Sequence, residues 1–165
     1  MQEGKLYVAY GSNLSLTQMG RRCPTARAVS LAELEGYELS FRGYPYSAVA
    51  TIEPKAGGRV PVLLWSIQGT DEMALDRYEG YPHLYGKQQV RLTVGHSTVE
   101  AMAYVMNPGH GMAQPSQRYL DIIKEGYRQA GFDMGPLEEA VTRSMDAARV
   151  QGREKHEGMD GMGLG

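Results

Sequence analysis

The chain has 165 residues, a formal charge of −2 at pH 7 and one cysteine. That length suits one domain with a sizeable core, and the near-neutral balance carries no electrostatic footprint for nucleic acid or for an anionic membrane. One cysteine excludes an internal disulfide, no stretch approaches the roughly 18 apolar residues of a membrane span, and no charged-then-apolar leader opens the chain, so a soluble cytoplasmic protein is expected.

Tyr7-Val8-Ala9-Tyr10 favours a strand over 6–10, and Gly11 frees the backbone for a turn. Ser15 stands three residues before Gln18, a capping-box spacing that starts a helix at Ser15. The loop 11–14 therefore sits at a helix N-terminus, where unpaired N–H groups and the positive end of the dipole favour anionic or carbonyl oxygen. Ser12 and Asn13 add side-chain donors. The same Gly-Ser-Asn is also ordinary turn chemistry. Arg21 and Arg22, beside Cys23-Pro24, read as the solvated end of that helix.

Further strand signals fall over 26–34, 37–42, 48–52, 60–67, 88–94 and 99–106, most of them separated by Gly or Pro. Their number suits a barrel. Thr70 reads as the cap of an intervening helix with Asp71 and Glu72 in its first turn and an apolar face of Met73, Ala74, Leu75 and Tyr78. Gly80 and Pro82 end it, which puts Glu79 in the last turn, opposed to the dipole at a cost of roughly 0.3–1 kcal/mol. A locally misplaced carboxylate among Tyr78, Tyr81 and Tyr85 is a candidate proton acceptor; the plain alternative is a solvated acid at a helix end. Val90, Leu92 and Val94 alternate with Arg91 and Thr93, and Gly95-His96 turns the chain into an antiparallel partner. Asn107-Pro108-Gly109-His110-Gly111 reads as a mobile loop at a pocket edge.

Two helices follow. Ser116 caps the first, with a stripe of Tyr119, Ile122, Ile123, Tyr127 and Ala130. Pro136 opens the second, with Leu137, Val141, Met145 and Ala148 facing inward. The apolar pattern stops near Gln151, so residues 1–150 form the expected domain and 151–165 a flexible Gly- and Met-rich tail.

Tyr10-Gly11-Ser12-Asn13-Leu14 and Leu75-Asp76-Arg77-Tyr78-Glu79-Gly80 together resemble the gamma-glutamylcyclotransferase family, which includes the AIG2-like proteins. Ala50-Thr51-Ile52-Glu53-Pro54, the run 60–67 around Trp65, Ala103-Tyr104-Val105-Met106 and Pro115-Ser116-Gln117-Arg118-Tyr119 resemble further family segments in family order, over roughly residues 5–131. The resemblance implies an α+β fold, a small mixed barrel-like β-sheet with flanking helices, and a pocket between the loop and the acid. It also implies a reaction that turns a gamma-glutamyl amino acid or amine into 5-oxoproline and the free amine. Tyr10, Gly11, Ser12, Asn13 and Leu14 would then hold the small-molecule gamma-glutamyl substrate, Glu79 would be the general acid/base, and Tyr104 and Tyr119 would line the pocket. Half-buried strand or helix positions explain those two tyrosines equally well. No cofactor is implied.

The residue types suit this chemistry. A gamma-glutamyl amide carries its own nucleophile, the α-amine, placed to close a five-membered ring. What remains is to move a proton from the amine to the leaving group, work for one carboxylate worth about 10²–10⁴-fold, and to stabilise the oxyanion. The loop donors suit either that oxyanion or the substrate α-carboxylate. His83, His96, His110 and His156 lack paired metal spacing, so no metal is expected. Two alternatives stay open: a non-catalytic small-molecule binding module with the same cavity, and a Ser12-dependent amide hydrolase, although Ser12 lacks the Gly-x-Ser-x-Gly elbow. Tyr44-Pro45-Tyr46 and Tyr81-Pro82-His83-Leu84-Tyr85 are expected to border the pocket and leave the amine open. Nothing in the sequence sets an oligomeric state.

Overall fold

Runs of β-branched and aromatic residues build five strands, β1 (Lys5–Ala9), β2 (Arg27–Arg42), β3 (Val49–Ile67), β4 (Tyr85–Val94) and β5 (Ser97–Met106). The computed structural model describes residues 4–162, with side chains through residue 150. The strands close into a barrel in the order β1-β3-β2-β4-β5. Each seam is antiparallel except that between β1 and β5, where Tyr7 lies opposite Met102 in parallel. Two of the seams are short, with one register pair between β1 and β5 and one, Glu33 opposite Thr93, between β2 and β4, and the barrel interior is the core. Phe41, Leu34, Ile52, Val62, Leu64 and Met102 are among its buried side chains. The α+β barrel with flanking helices is thus as expected.

Seven strand signals became five strands because two breaks are the two sides of one bulge. Glu35 pairs with Arg59 and Tyr37 with Pro54, so residues 55–58 stand opposite Gly36 alone. Gly36 and Gly57 take φ of +83° and +77° there. A bulge of this kind bends the ribbon without ending it. The predicted hairpin is present, with Val94 opposite Ser97 across the Gly95-His96 turn.

Four helices flank the barrel: α1 (Leu16–Arg22), α2 (Gly69–Glu79), α3 (Gln117–Ala130) and α4 (Gly135–Met162). Ser15 caps α1 and Ser116 caps α3 through their side chains, as their spacing indicated. The start of α2 differs. Its cap is Gln68, whose N–H donates to Asp71 Oδ2 at 2.9 Å, and Thr25 Oγ1 donates to the same oxygen at 2.7 Å. Asp71 wins the capping contest over Thr70 because its buried carboxylate joins a local cap to a tertiary contact. Met73 does not face the core; it is 62% exposed, and Leu75 is the fully buried anchor. Charge supplies the rest of the docking, with Lys87 Nζ on β4 lying 2.7 Å from Glu72 and 3.0 Å from Asp76.

In α4 Leu137, Ala140 and Ser144 are buried and Val141 packs partly buried against the core as expected, while Met145 is exposed. The α4 backbone is helical through Met162. The tail expected over 151–165 otherwise lies outside the described residues, namely the side chains of 151–162 and all of 163–165. Among the described residues no helix is long and apolar enough to cross a membrane.

Gly126 on α3 is where helix and loop touch. A Cβ there would stand 2.6 Å from Leu14 Cβ and 2.9 Å from the Leu14 carbonyl carbon. Gly126→Ala is expected to destabilise by about 1–3 kcal/mol through overpacking, whereas Gly20→Ala, with nothing within 4 Å of the new methyl, is expected to be neutral or stabilising by up to about 1 kcal/mol. Urea denaturation of both variants checks this; equal effects would contradict the contact.

Candidate active site

The ends of six elements converge on one cavity of about 190 Å³. At about 30 Å³ per water it has room for about six waters, the scale of one compact polar group. The segment after β1 contributes Tyr10, Gly11, Ser12 and Asn13, the start of β3 Val49 and Ala50, and the end of α2 Tyr78 and Glu79. Leu84 and Tyr85 enter with β4, Tyr104 from the end of β5, and Tyr119 from the first turn of α3; Tyr7 completes the wall from inside β1. Of the residues assigned from sequence to catalysis or substrate binding, Leu14 alone is absent from this lining. It is buried in the core against Gly126, because the 3₁₀ turn Ser12–Leu14 rotates it away from the cavity toward α3.

Gly11 has φ −122° and needs no left-handed backbone. Space is the constraint. A Cβ would stand 3.3 Å from Ala50 Cβ and 3.5 Å from Tyr119 Oη. Among the described residues, the N–H groups of Gly11, Ser12 and Asn13 donate to no protein oxygen. They form a short run of unsatisfied donors beside the cavity.

Glu79 is the last residue of α2, before Gly80 in the left-handed conformation that caps it. Burial pushes its carboxyl from the ordinary 4.5 up to about 7, and the Arg22 guanidinium partly offsets the rise. The anomaly seen in the sequence is therefore chiefly a desolvated acid, with burial rather than the helix dipole as the dominant cause.

The tyrosine protons are divided in two groups. Tyr10 donates to the Tyr104 carbonyl, Tyr85 to the Ala50 carbonyl, and Tyr104 to Asp76 Oδ1. By contrast Tyr119 Oη accepts from the Ala50 N–H at 3.0 Å, and Tyr7 Oη accepts from Asn13 Nδ2 at 2.9 Å. An oxygen that accepts in this way keeps its own proton for something else. Tyr10 and Tyr104 line the cavity with rings whose hydroxyls are already used.

Asn13 was expected to offer its side chain to a ligand, yet that side chain is committed within the protein. Its Nδ2 donates to Tyr7 Oη and its Oδ1 accepts from Arg22, while its backbone carbonyl accepts from Trp65 Nε1 at 3.2 Å. Ser12 Oγ pairs with Tyr78 Oη at 2.8 Å. The sequence makes Arg22 a solvated helix end; its guanidinium instead stacks 3.4 Å from the Tyr78 ring centroid and donates to Gln18 Oε1 at 3.2 Å. The four-residue spacing of Gln18 and Arg22 on one helix face was the available signal. Tyr7 carries none beyond strand propensity, whereas Leu84 and Tyr85 belong to the segment 81–85 expected to border the pocket, of which Tyr81, Pro82 and His83 are not in the lining. Two loop expectations fail. Asn107–Gly111 does not reach this cavity; residues 107–110 line a separate groove with Arg42 and Glu53. Tyr44 and Tyr46 project into solvent, 82% and 72% exposed, and neither belongs to the lining.

A model of the gamma-glutamyl cyclotransferase, AIG2-like family matches residues 7–129 of the chain. The chain belongs to that family. It is 29% identical over 146 residues to the gamma-glutamylcyclotransferase of Homo sapiens, covering 83% of this chain and 76% of that protein. The Mus musculus gamma-glutamylcyclotransferase is 27% identical over 142 residues, covering 79% and 75%. A solved structure titled gamma-glutamyl cyclotransferase superposes with a TM-score of 0.75 at 26% identity, covering 84% of this chain and 86% of that one. Both leading segments of the family resemblance, Tyr10 to Leu14 and Leu75 to Gly80, lie inside the matched span.

The raised Glu79 has a consequence for folding. A carboxyl whose folded pKa of about 7 exceeds its ordinary 4.5 contributes stability that is fully present below pH 4.5 and is lost as pH rises through about 7. Glu79→Gln removes that dependence. The variant should gain on the wild type by on the order of 3 kcal/mol between pH 5 and pH 8, read by urea denaturation at the two values. The same difference at both would contradict a buried, raised carboxyl.

Proposed function

We propose that this protein is a gamma-glutamyl cyclotransferase that converts a gamma-glutamyl amino acid or amine into 5-oxoproline and the free amine, with Glu79 as general acid/base. The observation that carries the reading is a carboxyl raised to about 7 in a small cavity that it shares with the unsatisfied N–H groups of Gly11 to Asn13. A group that titrates near neutral pH accepts and returns a proton at comparable cost, which a shuttle requires.

The substrate α-amine attacks the γ-carbonyl carbon, forming the ring C–N bond while the carbonyl oxygen takes the electron pair. Glu79 removes a proton from the attacking nitrogen. Collapse of the tetrahedral intermediate breaks the bond to the leaving nitrogen, which receives that proton from Glu79. The atoms balance without water, oxidant or cofactor. Substrate oxygens fit the N–H groups of Gly11, Ser12 and Asn13, and Tyr119 has its phenol proton free to add to them. Ser12 bonds the Tyr78 hydroxyl, and among the described residues no histidine lines the cavity, which disfavours a serine hydrolase. A reducing, cytoplasmic setting agrees with the lone Cys23, which is buried and held as the thiol by a pKa pushed up to about 11.

Incubation with a panel of gamma-glutamyl dipeptides and gamma-glutamyl amines is expected to release 5-oxoproline, with kcat rising with pH through about 7 as Glu79 ionises. Glu79→Gln should lose at least about 10²-fold in kcat while remaining folded. Free glutamate as the product would support the hydrolase instead, and substrate bound but recovered intact would support a binding module.

A further inference from the structure

Arg22 underlies both polar walls of the cavity without being part of its lining. On one side it donates to Asn13 Oδ1, and Asn13 Nδ2 donates to Tyr7 Oη. On the other its guanidinium lies against the ring of Tyr78, whose hydroxyl bonds Ser12 Oγ. The first of these chains has a fixed direction. A guanidinium only donates, so the amide oxygen of Asn13 must face Arg22 and the amide nitrogen must face Tyr7. Tyr7 Oη is then the acceptor, and its own proton is left to point elsewhere. Burial keeps that phenol protonated, with its pKa well above the ordinary value, and after burial the strongest influence on it is the charge of Glu79. Tyr7 and Glu79 line the same cavity.

Resting on the cyclotransferase reading, we propose that Tyr7 is the hydroxyl that donates to the γ-carbonyl oxygen of the substrate, and that Arg22 is the positioning residue that holds it in this role through Asn13. The reacting carbon is bonded to both nitrogens that exchange a proton with Glu79, so the group that meets its oxygen must stand near Glu79 as well. Tyr7 lines the cavity with Glu79 and has a proton to give, whereas Tyr10, which also feels the Glu79 charge, has already donated to the Tyr104 carbonyl, and Tyr119, which keeps its proton, has its Oη beside Gly11 with the loop donors. The run of N–H groups at Gly11 to Asn13 is then left for the full charge of the substrate α-carboxylate. Without Arg22 the Asn13 amide is free to turn over, Tyr7 can donate to its oxygen, and the cavity loses that proton.

Three variants and one double variant test this, with kcat taken on the high-pH plateau so that the effect of Arg22 on Glu79 ionisation drops out. Tyr7→Phe, which removes one oxygen, should lower kcat by about 10²–10³-fold, as loss of one oxyanion donor does, with KM little changed. Asn13→Asp should cost a similar factor, because the new carboxylate still pairs with Arg22 but takes the Tyr7 proton. Arg22→Gln should lower kcat alone, yet add nothing further on top of Tyr7→Phe, since a residue that acts through another shows no independent loss in a double-mutant cycle. Thermal melts report whether Arg22→Gln stays folded, and Tyr7→Phe decides the first half of the proposal whether or not it does. Wild-type kcat in Tyr7→Phe, or losses that multiply in the double variant, would overturn the proposal while leaving cyclotransferase activity intact. A wild-type protein that forms no 5-oxoproline would overturn the functional reading and this role with it.

Discussion

Everything around the cavity depends on holding one carboxyl away from water without a full counter-charge. Glu79 ends α2, where Gly80 turns the chain at once and lets the side chain enter the barrel mouth rather than solvent. Burial raises its pKa to about 7, and Arg22 supplies only partial relief. A stronger partner would restore an ordinary acid and leave a poor proton shuttle. The cost is borne by the docking of α2, which the buried Leu75, the Asp71 contact to Thr25 and the Lys87 bridges to Glu72 and Asp76 hold in place. Lys87 also lies 4.2 Å from the Tyr81 ring centroid, so the cation on that side is spent on the helix and its neighbours rather than on Glu79.

The tyrosines solve a second problem, how to place hydroxyls in an apolar barrel. Tyr10, Tyr85 and Tyr104 each donate to a protein oxygen and so become fixed walls. Tyr7 and Tyr119 accept from N–H groups and retain a proton. Five similar side chains thus divide into those whose proton is spent within the protein and those that keep it, according to which neighbour each one meets. The direction of a hydrogen bond, more than its existence, sets what the wall offers a ligand.

Local chemistry made much of this legible. The strand-to-helix corner at Tyr10 to Ser15 shows in the glycine and the cap, the β4–β5 hairpin in its alternation, and Glu79 as an acid at the wrong end of a helix. What stayed hidden lay in tertiary contacts. Arg22 looks like any helix-terminal arginine until Asn13 and Tyr78 fold onto it, and Tyr7 looks like any strand aromatic until Asn13 reverses its hydrogen bond. Gly36 and the 55–58 segment resemble strand breaks because local sequence does not reveal that they oppose each other in a bulge. Leu14 belongs to the same run as the pocket residues, yet one 3₁₀ turn sends it into the core. Motif membership identified the segment; backbone rotation decided which of its side chains face the cavity.

The central claim, a desolvated Glu79 carboxyl that exchanges its proton near neutral pH, is tested most directly by titrating that carboxyl by carbon-13 NMR, with Glu79→Gln assigning the resonance. The account predicts one glutamate carboxyl that titrates near pH 7 and disappears in the variant. Titration of Glu79 at its ordinary value near 4.5 would contradict it.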